Sequence, residues 1–286
     1  MNDRVALKWK ILNKIPDEYY LRIMFRKHTG KRLDLKNPKT YNEKLQWLKL
    51  YNRKPEYTVM VDKYKVRDYI KDKLGEEYLI PLIGVWDNSS EINFEELPEQ
   101  FVLKCNHNSG TGMYICTDKN KMDIKRVKED LDNGLAQNYY LTGREWPYKD
   151  VPRKIICEKF MVDDRTKELR DYKFYCFDGE VKMIMVNSDR SSGKETKADY
   201  FDKKYNRLNI TWGYKHSAVV PKKPEKFEEM IEIAELLSKN MPHVRIDLYE
   251  CNEKIYFGEI SFFDGSGFDT IEPYEWDLKL GSWIKL

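Results

Sequence analysis

Alternation of apolar and polar positions is sharpest near the carboxyl-terminal end. There Arg245-Ile246-Asp247-Leu248-Tyr249 and Ile255-Tyr256-Phe257-Gly258-Glu259-Ile260-Ser261 flank a polar turn at Asn252-Glu253-Lys254. β-Branched and aromatic residues spaced in this way predict a β-hairpin. With residues 252–254 in the turn, the register sets Cys251 against Ile255 and Asp247 against Glu259. Arg245, Asp247, Phe257, Glu259 and Ser261 then share one face, and Ile246, Leu248 and Ile260 the other. Helical periodicity predicts helices over 4–28, 41–51, 58–74, 124–140 and 224–240, the second opened by Thr40 and Glu43 in capping-box spacing. Apolar runs predict strands over 79–86, 101–105, 113–117, 154–161, 171–177 and 180–187. Residues 187–217 have little periodicity and read as a long loop, fit to act as a substrate lid. Helices interleaved with hairpins predict an α+β protein of packed layers and not a parallel doubly wound sheet.

Composition narrows the class. The 286 residues are 41% hydrophobic and 35% charged, as expected of a water-soluble globular protein with room for two modest domains. No apolar run approaches the roughly 18 residues of a membrane span, and the Met1-Asn2-Asp3-Arg4 start is not that of a secretory signal. The cysteines (Cys105, Cys116, Cys157, Cys176, Cys251) include no CxxC, and an odd number cannot all pair internally. They read as small buried hydrophobes of a reduced, cytoplasmic protein. Charge is uneven: residues 1–54 hold 15 Lys+Arg against 5 Asp+Glu, the remainder 36 against 43. Such a basic segment meets an anionic polymer or membrane surface, or else forms a solvated helical face. No zinc-finger spacing or RNA-binding signature accompanies it, so nucleic acid is not an expected partner.

The candidate chemistry begins with the hairpin. Opposed residues have Cβ atoms about 5 Å apart, and like charges there destabilise the pair. A cation between Asp247 and Glu259 turns repulsion into a ligand field, and carboxylates holding Mg²⁺ against phosphate oxygens are usual where nucleotides react. The plainer reading is a solvated face on which Arg245 neutralises Asp247. A second motif runs Phe101-Val102-Leu103-Lys104-Cys105-Asn106-His107-Asn108-Ser109-Gly110-Thr111-Gly112. A loop of small and Gly residues between strands brings backbone N–H groups to phosphate oxygens, with Lys104 in reach; a simple β-turn is the alternative. GxxxxGK[ST] and GxGxxG are absent, and His107 reads as a loop hydrogen-bonder and not a metal ligand. Two smaller signals are the charged pair Glu158-Lys159 ending an apolar strand and Asp62-Lys63 at a helix start.

In this order the motifs resemble the ATP-grasp layout: an Asp-Lys pair at a helix start, a strand Lys before a Gly-rich loop, a Glu-Lys strand, then carboxylate, eleven residues, carboxylate, one residue, polar ligand. The stretches TYNEKLQWLKLY, VDKYKVRDYI, LGEEYLIPLIGVW, FVLKCNHNSG, GREWPYK, IICEKFM, RDYKFYCFDG and RIDLYECNEKIYFGEISFFDGSGF resemble, more narrowly, the TupA-like ATP-grasp family, over about residues 38–286. The resemblance implies an α+β ATP-grasp fold, two α+β subdomains gripping ATP, with a basic helical segment at 1–54. The subdomains would take 55–98 and 161–286, with a lid subdomain at 99–160. It implies that Lys63 and Lys104 bind ATP phosphates under a loop from Asn106 to Gly112 that includes His107, Ser109 and Gly110. Glu158, Lys159 and Phe160 would meet the adenine, and Asp163 or Asp164 the ribose. Asp247, Glu259 and Ser261 would hold Mg²⁺, Ser261 standing where many ATP-grasp enzymes have Asn. Arg245, Lys173 and Arg190 would face the γ-phosphate and the acyl phosphate; Asp171 and Lys173 equally read as an ion pair.

The activity so implied is an ATP-dependent carboxylate–amine ligase. It would join an amino acid or amino alcohol to a uronic acid of a cell-surface polysaccharide precursor, in the cytoplasm or at the inner face of the membrane. A sugar kinase using the same ATP residues and a non-catalytic nucleotide- and glycan-binding protein are the other readings.

Overall fold

The computed structural model describes residues 9, 10, 12–188 and 196–286. In chain order the helices from Asp17 onward are α1 (Asp17–Thr29), α2 (Tyr41–Tyr51), α3 (Glu56–Val61), α4 (Val66–Lys73), α5 (Ile124–Ala136), α6 (Tyr140–Gly143), α7 (Phe227–Leu237) and α8 (Tyr274–Trp283). The strands are β1 (Leu82–Trp86), β2 (Phe101–Cys105), β3 (Met113–Cys116), β4 (Ile155–Lys159), β5 (Arg170–Phe177), β6 (Glu180–Ser188), β7 (Lys197–Phe201), β8 (Thr211–Trp212), β9 (Val244–Cys251), β10 (Lys254–Ser261) and β11 (Ile271–Glu272). No helix among the described residues is long and apolar enough to cross a membrane. All five cysteines are buried with free thiols.

The chain forms two compact units. One takes the described residues up to Ile15 with Lys54–Met161, the other Pro16–Arg53 with Val162–Leu286. The basic stretch 1–54 is therefore divided at Pro16 and does not stand as a segment of its own. Two local causes are visible. Proline lacks the N–H a continuing helix needs, which ends the helix expected over 4–28. In the first unit, the buried Arg144 donates from Nη2 to Leu12 O (2.5 Å) and Ile15 O (3.3 Å).

The first unit is built on an antiparallel sheet in the order β1-β4-β2-β3. Phe101, Leu103, Ile155 and Cys157 pack on Val127 and Leu131 of α5, while the alternate positions carry Lys104 and Glu158. The expected helix over 58–74 divides into α3 and α4 because Asp62 caps from inside it: Oδ1 accepts from the Tyr64 N–H (2.9 Å) and the Lys65 N–H (3.3 Å).

The second unit has an antiparallel sheet in the order β10-β9-β5-β6-β7. α7 covers one face with buried Phe227, Met230, Ala234 and Leu237. The hairpin turn holds two residues, not three: Asn252 (φ 50°) and Glu253 (φ 63°) are both left-handed and Cys251 pairs with Lys254, as in a type I′ turn. A bulge between Phe257 and Glu259 then adds one residue to β10. The two departures cancel, and Asp247 faces Glu259 after all. Phe257 does not share their face; it opposes Leu248 on the other side. β7 lies inside the stretch expected to be a loop. Its polar look comes from Asp199, wholly buried, whose carboxylate accepts from Arg207 Nη2 and the Ser217 hydroxyl.

α2 opens with the expected capping box. Thr40 Oγ1 accepts from the Glu43 N–H (3.2 Å), and Glu43 Oε2 from the Thr40 N–H (3.0 Å). Tyr41, the first residue of α2, is tied to the sheet through His243. Nδ1 of His243 lies 2.9 Å from Cys176 O; a carbonyl only accepts, so the proton is on Nδ1 and Nε2 accepts from the Tyr41 hydroxyl at 2.8 Å. Burial pushes the ring down to about 4, below the roughly 6.5 of an unfolded chain. The neutral ring therefore contributes fully above pH ~6.5, and that contribution is lost as pH falls toward ~4, on the order of a few kcal/mol. Thermal unfolding should show His243→Gln narrowing the gap between wild-type Tm at about pH 7 and about pH 4. An unchanged gap would remove His243 from the acid response.

Candidate active site

In the first unit the groups gather on the open face of its sheet. Register sets Val102 opposite Glu158, so Lys104, two residues on, lies diagonally across from Glu158 on the same face. Lys104 Nζ meets Glu158 Oε2 at 2.6 Å. Arg67 of α4 meets Oε1 at 3.1 Å and donates to Ile80 O at 2.9 Å. Arg67 was not singled out from the sequence; its place in the motif VDKYKVRDYI was the only signal. Lys159 is exposed at the end of β4 and Phe160 half-buried.

The loop after β2 divides into a buried root and an exposed tip. Asn106 is fully buried and its amide is spent on protein: Nδ2 donates to Asp62 Oδ1 (2.7 Å) and Pro152 O (2.9 Å), and Oδ1 accepts from the Lys154 N–H (2.7 Å). His107, 2% exposed, points Nε2 at Gln137 O (3.2 Å). Burial pushes its ring down to about 4, so it is neutral. Asn108 donates to Gly134 O (3.0 Å), and Lys63 Nζ to Asn108 O (2.7 Å). The exposed tip is Ser109, Gly110 and Thr111. The two glycines differ in their surroundings. Gly110 (φ 79°) has nothing near where a Cβ would go; at Gly112 a Cβ would come within 2.6 Å of Cys105 Sγ and 2.8 Å of Gly134 Cα. Both serve backbone conformation, Gly112 too being left-handed at φ 66°, and Gly112 serves close packing on α5 as well.

In the second unit, Lys173 of β5 pairs with Asp247 of β9, and Asp247 with Glu259 of β10, forming one row across three strands. Lys173 Nζ bonds Asp171 Oδ2 and Asp247 Oδ2, each at 2.5 Å. Arg245 donates from Nε to Asp247 Oδ1 (2.7 Å), and from Nη2 to Asp247 Oδ2 (2.8 Å), Glu259 Oε1 (2.9 Å) and Ser261 Oγ (3.2 Å). Nη1 bonds Asp264, whose other oxygen accepts from the Tyr175 hydroxyl at 2.6 Å. Asp264 lies three residues past the hairpin, where strand register gives no information, and was missed for that reason. Its turn is held by α2. Gln46 Nε2 donates to Ser266 O (3.1 Å) and Gly267 O (2.8 Å), and the fully buried Lys49 to Ser266 O (2.7 Å).

Among the described residues, four carboxylates (Asp171, Asp247, Glu259, Asp264) gather on the cations Lys173 and Arg245. Burial raises the Asp247 carboxyl to about 6, even with Arg245 and Lys173 pulling it down. Burial also works against the charge on Arg245 and Lys173, but their carboxylate neighbours hold both above their ordinary values. Among the described residues no group of three or more His, Cys, Asp or Glu is arranged to hold a metal ion; the Arg245 guanidinium lies between Asp247 and Glu259. The carboxylate and hydroxyl oxygen donors nonetheless fit a hard divalent cation, which would need Arg245 to yield its place.

Asp163 lies in the second unit. Its carboxylate accepts from the N–H of Asn252 (2.8 Å), Thr166 (2.9 Å) and Arg165 (3.0 Å), which hold it down near 2. Asp164 is exposed, and its N–H donates to Asn252 Oδ1 (2.9 Å). Arg190 lies outside the described residues.

The model of one protein family, TupA-like ATPgrasp, matches residues 43–285. No curated protein matches the chain. Among solved structures it is similar to D-alanine–D-alanine ligase from Bacillus anthracis complexed with ATP: 16% identity, TM-score 0.44, covering 71% of this chain and 55% of that one. For the D-alanine–D-alanine ligase of Helicobacter pylori the values are 15%, 0.45, 85% and 69%. For N5-carboxyaminoimidazole ribonucleotide synthetase from Thermus thermophilus they are 10%, 0.40, 71% and 45%. The chain spans about half the length of the first and third of these. Matched from residue 43 to residue 285, with the motif order read from its sequence, the chain belongs to the TupA-like ATP-grasp family.

Proposed function

We propose that the chain is an ATP-dependent carboxylate–amine ligase. Its acceptor would be a uronic acid carboxylate of a surface-glycan precursor, and its donor an amino acid or amino alcohol. The observation that carries the chemistry is Asp247, buried, facing the partly exposed Glu259 in a carboxylate-rich cluster. The glycan and the amine rest on family membership alone.

Each unit has its own share of the work. In the first, Lys63 and Lys104 take ATP phosphates, the Ser109–Thr111 tip supplies backbone N–H groups, and the strand end at Glu158–Phe160 takes the adenine. In the second, Asp247, Glu259 and Ser261 hold Mg²⁺, which when bound neutralises phosphate charge. Lys173 and Arg245 meet the charge that develops as the γ-phosphoryl group moves to the acceptor carboxylate. The carboxylate oxygen attacks phosphorus and ADP leaves; the amine nitrogen then attacks the carbonyl carbon, phosphate leaves with the C–O electrons, and the amine gives up a proton. Activation is needed because oxide is a poor leaving group and phosphate a good one.

Incubation with ATP, Mg²⁺ and uronic acids should release ADP and phosphate, and hydroxylamine should trap the activated carboxyl as a hydroxamate. A phosphorylated sugar with neither free phosphate nor hydroxamate would replace the ligase by a kinase. Asp247→Asn or Glu259→Gln should lower turnover roughly a hundredfold or more; Mg²⁺-dependent activity at the wild-type level in both would remove the metal assignment. Lys104→Ala deletes a charge-assisted contact worth about 1.5–3 kcal/mol, so calorimetry should show about a tenfold to hundredfold weaker ATP affinity.

Stability gives a separate check. The Asp247 carboxyl sits higher in the fold, near 6, than in an unfolded chain, about 3.9. Its ionised form therefore costs stability at neutral pH, a cost absent below pH ~4 and fully present above ~6. Without metal, wild-type Tm should therefore fall from about pH 4 to about pH 7 more than that of Asp247→Asn. An equal change in both proteins would remove Asp247 from this pH response.

A further inference from the structure

Within the second unit, α1 ends at Gly30, whose φ of 71° turns the chain back. Arg22 then donates from Nη1 to Leu33 O at 3.0 Å, holding the returning segment beside the last turns of α1. Leu33 and Leu35 are buried. Beside this turn lies a cavity of about 780 Å³, lined by both leucines, Ile23 and the charged residues Arg22, Arg26, Arg32, Asp34 and Lys36. That volume is within the range of small-molecule sites, about 300–1,000 Å³.

The charges around it are not equivalent. Arg22 is committed: besides Leu33 O, its Nε and Nη2 bond Glu18 Oε1 at 3.0 and 2.8 Å. Asp34 Oδ1 accepts from the backbone N–H of Lys36 (2.9 Å) and Asn37 (3.1 Å), shaping the turn. Arg26, Arg32 and Lys36 are exposed and have no hydrogen bond or ion pair from their side chains among the described residues. Elsewhere in the same basic stretch, Lys44 bonds Ile284 O (2.7 Å), Lys49 is buried under the Asp264 turn, and Arg53 pairs with Asp17 (2.7 Å). Those cations are part of the packing. The three at the cavity are not, and like charges around a concavity repel unless an anion enters.

We infer that this cleft binds an acidic oligosaccharide, a chain carrying repeated carboxylate or phosphate groups. Two guanidinium forks and an ammonium, set on both walls, suit several anionic groups in succession; Arg takes carboxylate and phosphate bidentately. None of the lining residues is aromatic, so no platform for stacking bases is present, which disfavours single-stranded nucleic acid. The concavity disfavours a flat headgroup surface. The ligand class deepens the glycan part of the ligase proposal, but the cleft uses none of the residues assigned to ATP or metal.

The test is equilibrium binding of a short fluorescent oligogalacturonate to the full chain without nucleotide, at two salt concentrations. Wild type should bind, more weakly at higher salt. Arg26→Gln/Arg32→Gln/Lys36→Gln should lose at least tenfold in affinity and most of the salt dependence, with unchanged circular dichroism. Arg26→Gln alone should lose about threefold, keeping the test open if the triple variant misfolds. Tighter binding of a phosphorylated oligosaccharide without carboxylates would assign phosphate as the source of charge; tighter binding of the oligogalacturonate would assign uronate. Wild-type affinity in the triple variant would overturn the inference. So would equal binding of a neutral oligosaccharide, or tighter binding of polyglutamate or anionic vesicles. Because no turnover is read, failure here leaves the ligase proposal standing, and failure of the ligase assay leaves this result standing.

Discussion

Three adjacent strands carry ionised side chains in register: Lys173 on β5, Asp247 on β9 and Glu259 on β10. Much of the second unit's polar structure follows from holding this row together, with Lys173 and Asp247 buried and Glu259 partly exposed. Buried charges need partners, and Arg245 supplies four of them, reaching Asp247, Glu259, Ser261 and Asp264 with one guanidinium. Among the described residues, four carboxylates share the two cations Lys173 and Arg245. Burial raises the Asp247 carboxyl within this cluster, against the pull of Arg245 and Lys173.

The surrounding elements serve that row. Asp264 reaches Arg245 only because its turn is pinned by Gln46 and Lys49 from α2, and α2 is placed by its own capping box and by the bond from Tyr41 to His243. A lysine that is fully buried in order to hold a loop carbonyl illustrates how part of the basic amino-terminal charge is structural. At the cavity between α1 and the returning turn, Arg26, Arg32 and Lys36 are exposed instead.

Legibility from sequence followed the kind of interaction. Short-range rules worked: the Thr40 and Glu43 cap, the apolar strands β2 and β4, and the antiparallel α+β class. The Asp247–Glu259 pairing was read correctly through two compensating departures, a two-residue turn with Glu253 in the left-handed region and a bulge before Glu259; the same compensation misplaced Phe257. β7 was hidden because a buried Asp199 breaks its apolar pattern. Arg67 and Asp264 were hidden because their partners are set by tertiary contact. Lys63, Lys104, Glu158 and the Gly-rich loop were singled out through motif order, while the inward commitments of Asn106 and His107 depend on Asp62, Pro152, Lys154 and Gln137, which no spacing rule connects.

The central claim is that Asp247 and Glu259 take a metal ion. Binding of Mn²⁺, a paramagnetic stand-in for Mg²⁺, can be read by electron paramagnetic resonance in the presence of a non-hydrolysable ATP analogue. The account predicts that the protein raises the bound Mn²⁺ fraction above that of the nucleotide alone, and that Asp247→Asn and Glu259→Gln each abolish the increase. The same bound fraction in wild type and both variants would contradict it.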